Sequence, residues 1–137
     1  MTKKAANPGT PIPASPQAPM NWAGHTFTAS ASASTGNLEM RWLRSGNTLT
    51  IETLRYKFTS VPNHNKANIN IVVDAHSAGD WKLNSPDNRI QDGQWHTWGA
   101  LGALALGNST RITVKVVFIF DKGGPDDRGT ATFDFSV

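Results

Sequence analysis

The chain contains no cysteine at all. That excludes disulfides, thiolate catalysis and every cysteine-ligated zinc or iron–sulfur site. Glutamate is nearly absent too: Glu39 and Glu52 are the only two, and nothing in their spacing makes them a catalytic carboxylate pair. No apolar run is long enough to span a bilayer. The first 20 residues, MTKKAANPGTPIPASPQAPM, have basic residues but no apolar core, so they do not form a Sec-type signal peptide. The expected location is therefore the cytoplasm, or outside the cell by a route without a cleaved signal. Also missing are a G-x-S-x-G elbow, a phosphate-cradling loop and an H-E-x-x-H zinc motif. The expectation is a protein that is not an enzyme and holds no cofactor.

What is present points to β-structure. Thr, Val, Ile, Phe and Trp recur in short runs between clusters of Gly, Asn, Asp and Ser. The 137 residues suit one domain with a real core. Five of the eight prolines fall at Pro8, Pro11, Pro13, Pro16 and Pro19, which forbids a helix or central strand there. Residues 1–20 are expected to be a disordered proline-rich arm, and residues 21–137 a single β-sandwich domain. The isoelectric point near 9.5 suggests a basic surface, but the charge is unevenly placed. From residue 61 onward seven basic side chains face eight acidic ones, and only Arg41, Arg44, Arg55 and Lys57 could form a basic stripe. This argues against a nucleic-acid partner.

Alternation locates the strands. In 25–34 it sets His25, Phe27, Ala29, Ala31 and Ala33 on one face, and in 37–43 Leu38, Met40 and Trp42. In 48–58, Leu49 and Ile51 share one parity while Leu54, Tyr56 and Phe58 share the other. A buried face cannot switch without an extra residue, so a β-bulge or bend is expected near Glu52–Thr53. Residues 69–76 put Ile69, Ile71, Val73 and Ala75 inward. A polar connection through Trp81 and Leu83 follows, and GALGALALGN does not choose between helix and strand. Residues 111–120 read as a central strand, and 129–137 as its hairpin partner across DKGGPDDR. The total is seven or eight strands: a two-sheet antiparallel β-sandwich of jelly-roll or Ig-like type.

The stretch DGQWHTWG, residues 92–99, is the densest in side chains able to bind something. In a regular strand, Trp95 and Thr97 face one side while Gln94, His96 and Trp98 face the other. The reading taken is that Trp95 is core and Trp98 points outward with His96. An aromatic face beside an imidazole suits stacking on a sugar ring. The competing structural reading is that GALGALAL folds over Trp98 and buries it. The run Asp92-Gly93-Gln94-Trp95-His96 resembles a short stretch of laminin G-like and related concanavalin-like sandwiches, where an Asp-Gly turn introduces a strand with a buried Trp. The likeness covers five residues; it implies a sandwich and hints at glycan binding, and it transfers no calcium or sugar ligand. Asp74-x-His76 and the aspartates Asp121, Asp126 and Asp127 lack any metal-binding framework, so no metal is expected.

The function expected from sequence is thus a non-catalytic binding module for a carbohydrate or similar surface ligand. Its binding residues would be Trp98, His96, Gln94 and Trp81. One alternative is a structural subunit that self-associates into a homo-oligomer. Another is a small basic membrane-active β-toxin, which the N-terminal prolines argue against because they forbid an inserting amphipathic helix.

Overall fold

A computed structural model describes residues 21–137; the proline-rich arm lies outside the described residues. The strands are β1 (Ala23–Ala31), β2 (Ser34–Ser45), β3 (Thr48–Phe58), β4 (Asn68–Asp74), β5 (Asp80–Asn84), β6 (His96–Thr97), β7 (Leu101–Ala105), β8 (Arg111–Phe120) and β9 (Asp127–Ser136). A single 3-10 turn, His76–Ala78, separates β4 from β5. Every strand pair is antiparallel. One sheet has the order β1-β2-β3-β6, with β7 also paired to β3, and the other has the order β5-β4-β8-β9. This is the expected two-sheet sandwich. No helix of the described residues is long and apolar enough to cross a membrane.

Alternation places the core where the sequence read it. Leu38, Met40 and Trp42 of β2, Ile69, Ile71 and Val73 of β4, and Ile112, Val114 and Val116 of β8 are all buried between the sheets. Phe118 lies over Gly36, at which an added Cβ would meet its ring, so glycine is what lets the two sheets close there. The indole of Trp81, on β5, lies over Gly102 of β7 in the same way at another sheet-to-sheet contact.

Four expectations need correction. The connection through Trp81 and Leu83 is itself a strand, β5, paired to β4 along its whole length. Its run DWKLN has only two apolar residues, and alternation over so short a segment is a weak signal. Ala33 does not extend β1. The strand ends at Ala31, and Ser32, with φ +55°, turns the chain into β2. The parity switch in β3 is a bulge, but its extra residue is Leu54: Met40 pairs with Thr53 and Glu39 with Arg55. Leu54 is therefore only half-buried, while Thr53 stays inward with Leu49 and Ile51. The strand total is nine among the described residues, and GALGALAL resolves as β7.

His25 gives the sandwich a pH dependence. Its ring stacks on Phe133 at 3.9 Å between centroids and meets Phe27 edge-on at 4.6 Å. Burial among these rings disfavours the charged imidazolium and lowers the His25 pKa. The unfolded chain then binds this proton more readily than the folded one. The stabilisation from neutral His25 is complete above about pH 6.5 and is lost as pH falls through the lower folded-state value. Melting temperature should fall more steeply with acidification below that point in the parent than in His25→Phe. Parallel slopes for the two proteins would show that His25 is not buried against Phe133.

Candidate functional site

The stretch 92–98 is shaped by its first two residues. Asp92 accepts a hydrogen bond from the Gln94 amide at 2.9 Å, a short side-chain turn, and Gly93 takes φ +75°, a conformation that favours glycine. The Gly93 amide donates to the Phe58 carbonyl at 2.9 Å, which docks the turn on the end of β3. His96 and Thr97 then pair with Tyr56 and Arg55. That pairing decides which face is core. Tyr56 is only 3% exposed, so its partner His96 faces inward, and Trp98 with it.

The alternation expected of this stretch holds, but its sign is reversed. Trp98 is half-buried and packs against the core, and Trp95 is not part of that core. His96 stacks on Tyr56 at 5.4 Å, with Nε2 2.9 and 3.0 Å from the two Asp92 carboxylate oxygens. The hydrogen bond from His96, then that from the Gln94 amide, holds the Asp92 pKa below the ordinary aspartate range. The Arg89 guanidinium lies 5.1 Å from the Tyr56 ring and 5.4 Å from the Trp98 ring. His96 and Trp98 thus share the inward face of this strand, His96 against Tyr56 and Trp98 beside the Arg89 guanidinium that also reaches the Tyr56 ring. Gln94 is exposed on the turn. Trp81 belongs to the closure of β5 over β7, half-buried against Gly102.

The bulge in β3 explains why the edge partner is split into β6 and β7. At Thr53 the hydroxyl donates to the Trp98 carbonyl at 2.5 Å and accepts from the Ala100 amide at 2.8 Å. The Thr53 amide also donates to the Ala100 carbonyl at 3.0 Å. This buried threonine satisfies the backbone that the irregular register would otherwise orphan.

The outer face of the β1-β2-β3-β6 sheet gathers the other two tryptophans of interest. Trp95 is held by Arg55, whose guanidinium lies 4.2 Å from the ring centroid, and by the Lys57 ammonium at 5.1 Å. Trp22, just before β1, has the Arg41 guanidinium 4.3 Å from its ring. Both arginines are tied across strands, Arg41 to Glu52 at 2.6 Å and Arg55 to Glu39 at 2.7 Å. Leu101, 70% exposed, pairs with Glu52 and so shares this face. Thr28 donates to Asn37 at 2.8 Å, and the Ser30 and Thr35 hydroxyls bond at 2.8 Å. The face therefore combines two aromatic rings, fixed charges and a row of hydroxyls.

The other constellations are occupied by structural work. Asp74 accepts from the His76 amide at 2.7 Å, and His76 Nε2 bonds the Thr113 hydroxyl at 3.0 Å. Asp127 is bound by Lys122 at 2.6 Å and Ser32 at 2.9 Å. A polar pocket lined by Asn63, His64, Asn65, Lys66 and Asp121 is braced by Gln91, whose side-chain amide donates to the His64 and Asp121 carbonyls. Among the described residues no three His, Asp or Glu side chains gather as a metal site would require.

Sequence reasoning grouped Arg41, Arg55 and Lys57 as a possible basic stripe but missed that Trp22 and Trp95 share their surface. A signal existed for Trp22, whose parity opposes that of His25 and Phe27. For Trp95 there was none, because its face is set by the partner strand. No protein family, curated protein or solved structure matches this chain.

Proposed function

We propose that the protein is a non-catalytic binding module that recognises a carbohydrate or similar surface ligand through the outer face of its β1-β2-β3-β6 sheet. The observation that carries this reading is the placement of Trp22 and Trp95 on that face, each with a cation packed against its ring. A pyranose ring offers a C–H face that stacks on an indole, and its hydroxyls need donors and acceptors beside it. Glu39, Glu52, Asn37, Thr26, Thr28 and Thr97 supply these along the strands. The ion pairs and cation–ring contacts hold the rings in place before a ligand arrives, which lowers the ordering cost of binding.

Trp95→Ala and Trp22→Ala should each lower affinity for the glycans retained on an array by several-fold, since one stacked ring is worth on the order of 1 kcal/mol. Both variants should melt close to the parent. Trp98→Ala and Trp81→Ala should do the opposite, lowering the melting temperature because each ring packs against the core. Unchanged glycan binding by Trp95→Ala would overturn the assignment.

A further inference from the structure

We infer that the ligand of this face is an extended acidic polysaccharide, its carboxylate-bearing sugar seated at Trp95 and Lys57 and its chain running toward Trp22. This rests on the binding-module reading and adds the charge and length of the ligand. Charge comes first. Of the cations on the face, Arg41 and Arg55 are neutralised by Glu52 and Glu39. Lys57 has no carboxylate partner among the described residues, and its ammonium stands 5.1 Å from the Trp95 ring centroid. A sugar stacked on Trp95 would bring a ring substituent next to that ammonium, and an anionic substituent would complete the pair. Uncharged sugars would offer Lys57 only neutral hydroxyl acceptors and leave its charge without a counter-ion.

Length follows from the register. Thr97 pairs with Arg55, so Trp95, two residues earlier, lies beside Lys57. Ala23 pairs with Trp42, so Trp22 lies at the level of Leu43 on the opposite edge. Between the two rings are three strand spacings across the sheet and three two-residue steps along it. At standard strand dimensions that separates them by about 25 Å. A disaccharide reaches only one ring, whereas a chain of several sugars spans both. Along that diagonal it passes the Arg55–Glu39 pair, then the Arg41–Glu52 pair.

The test is calorimetric titration of the full chain with four β-1,4-linked or α-1,4-linked hexasaccharides: mannuronate and galacturonate, and their uncharged counterparts mannose and galactose. The acidic disaccharides and an oligothymidylate of similar charge complete the set. At least one acidic hexasaccharide should bind about tenfold more tightly than its neutral counterpart, and Lys57→Gln should erase that preference. Trp22→Ala should weaken the hexasaccharide and leave the disaccharide unchanged. Equal binding of acidic and neutral hexasaccharides, lost in Trp95→Ala, would overturn the acidic ligand while the binding-module reading stands. Equal affinity for disaccharide and hexasaccharide would overturn the extended chain. No binding to any sugar would overturn both readings, and tighter binding of the oligothymidylate would replace the sugar with a nucleic acid.

Discussion

Replacing Phe118 by alanine is expected to cost roughly 3–5 kcal/mol, a large share of the about 5–15 kcal/mol that holds a domain of this size together. Phe118 is fully buried on β8, inside the four-stranded sheet. Its ring meets Phe58 of the other sheet edge-on at 5.9 Å and fills the space above Gly36. Alanine would remove the ring from the point where the two sheets touch, leaving a cavity that β2 and β8 cannot close without moving. The same contact can be attacked from the other side. Gly36→Ala alone should also destabilise, because its Cβ would enter the Phe118 ring. The two changes together should cost less than their sum, since the shortened side chain makes room for the added methyl. Urea titrations of the three variants read this directly. A Phe118→Ala cost below about 1 kcal/mol would mean that the sheets are not packed as described.

Gly102→Val should be the second most damaging change, at about 1–3 kcal/mol. A Cβ at residue 102 would fall among the atoms of the Trp81 indole, within 2.5 Å of its Nε1. Valine would push the indole off β7 and open the contact between β5 and β7. Because Trp81 is only half-buried, the indole can swing into solvent, so overpacking turns into lost burial rather than complete unfolding. In a Trp81→Ala background the valine should be tolerated, and a β-branched residue there even suits the strand. If Gly102→Val destabilises both backgrounds equally, Trp81 does not cover it.

Much of this architecture is legible in the sequence. Long alternating runs such as 69–75 and 111–120 have one self-consistent core face, and a slip by one residue would bury their polar side chains. The bulge in β3 was legible for the same reason, because Ile51 and Tyr56 cannot both face inward without an extra residue. Its exact position was not: Leu54 is apolar and looked like a core residue. Short strands were the weak point. β5 offers too few residues for its alternation to stand out, and β6 has only two. The inward face of β6 is dictated by Tyr56 across the ladder, information that residues 92–98 do not contain. The candidate site inherits this split. His96 and Trp98 do share one face, but it is the inward one; the ring that reaches the open sheet face is Trp95, and its companions come from β2, β3 and, for Trp22, the residue before β1.

The central claim is that ligand meets the outer sheet face and leaves the rings between the sheets untouched. The five tryptophans make this directly observable. With 5-fluorotryptophan incorporated and each resonance assigned by a Trp→Phe substitution, the tightest-binding acidic hexasaccharide is titrated in and the fluorine spectrum recorded. The signals of Trp95 and Trp22 should move with saturation, while those of Trp42, Trp81 and Trp98 stay in place. Movement of Trp98 or Trp81 with Trp95 stationary would contradict the account, and would return the binding site to the aromatic cluster around His96.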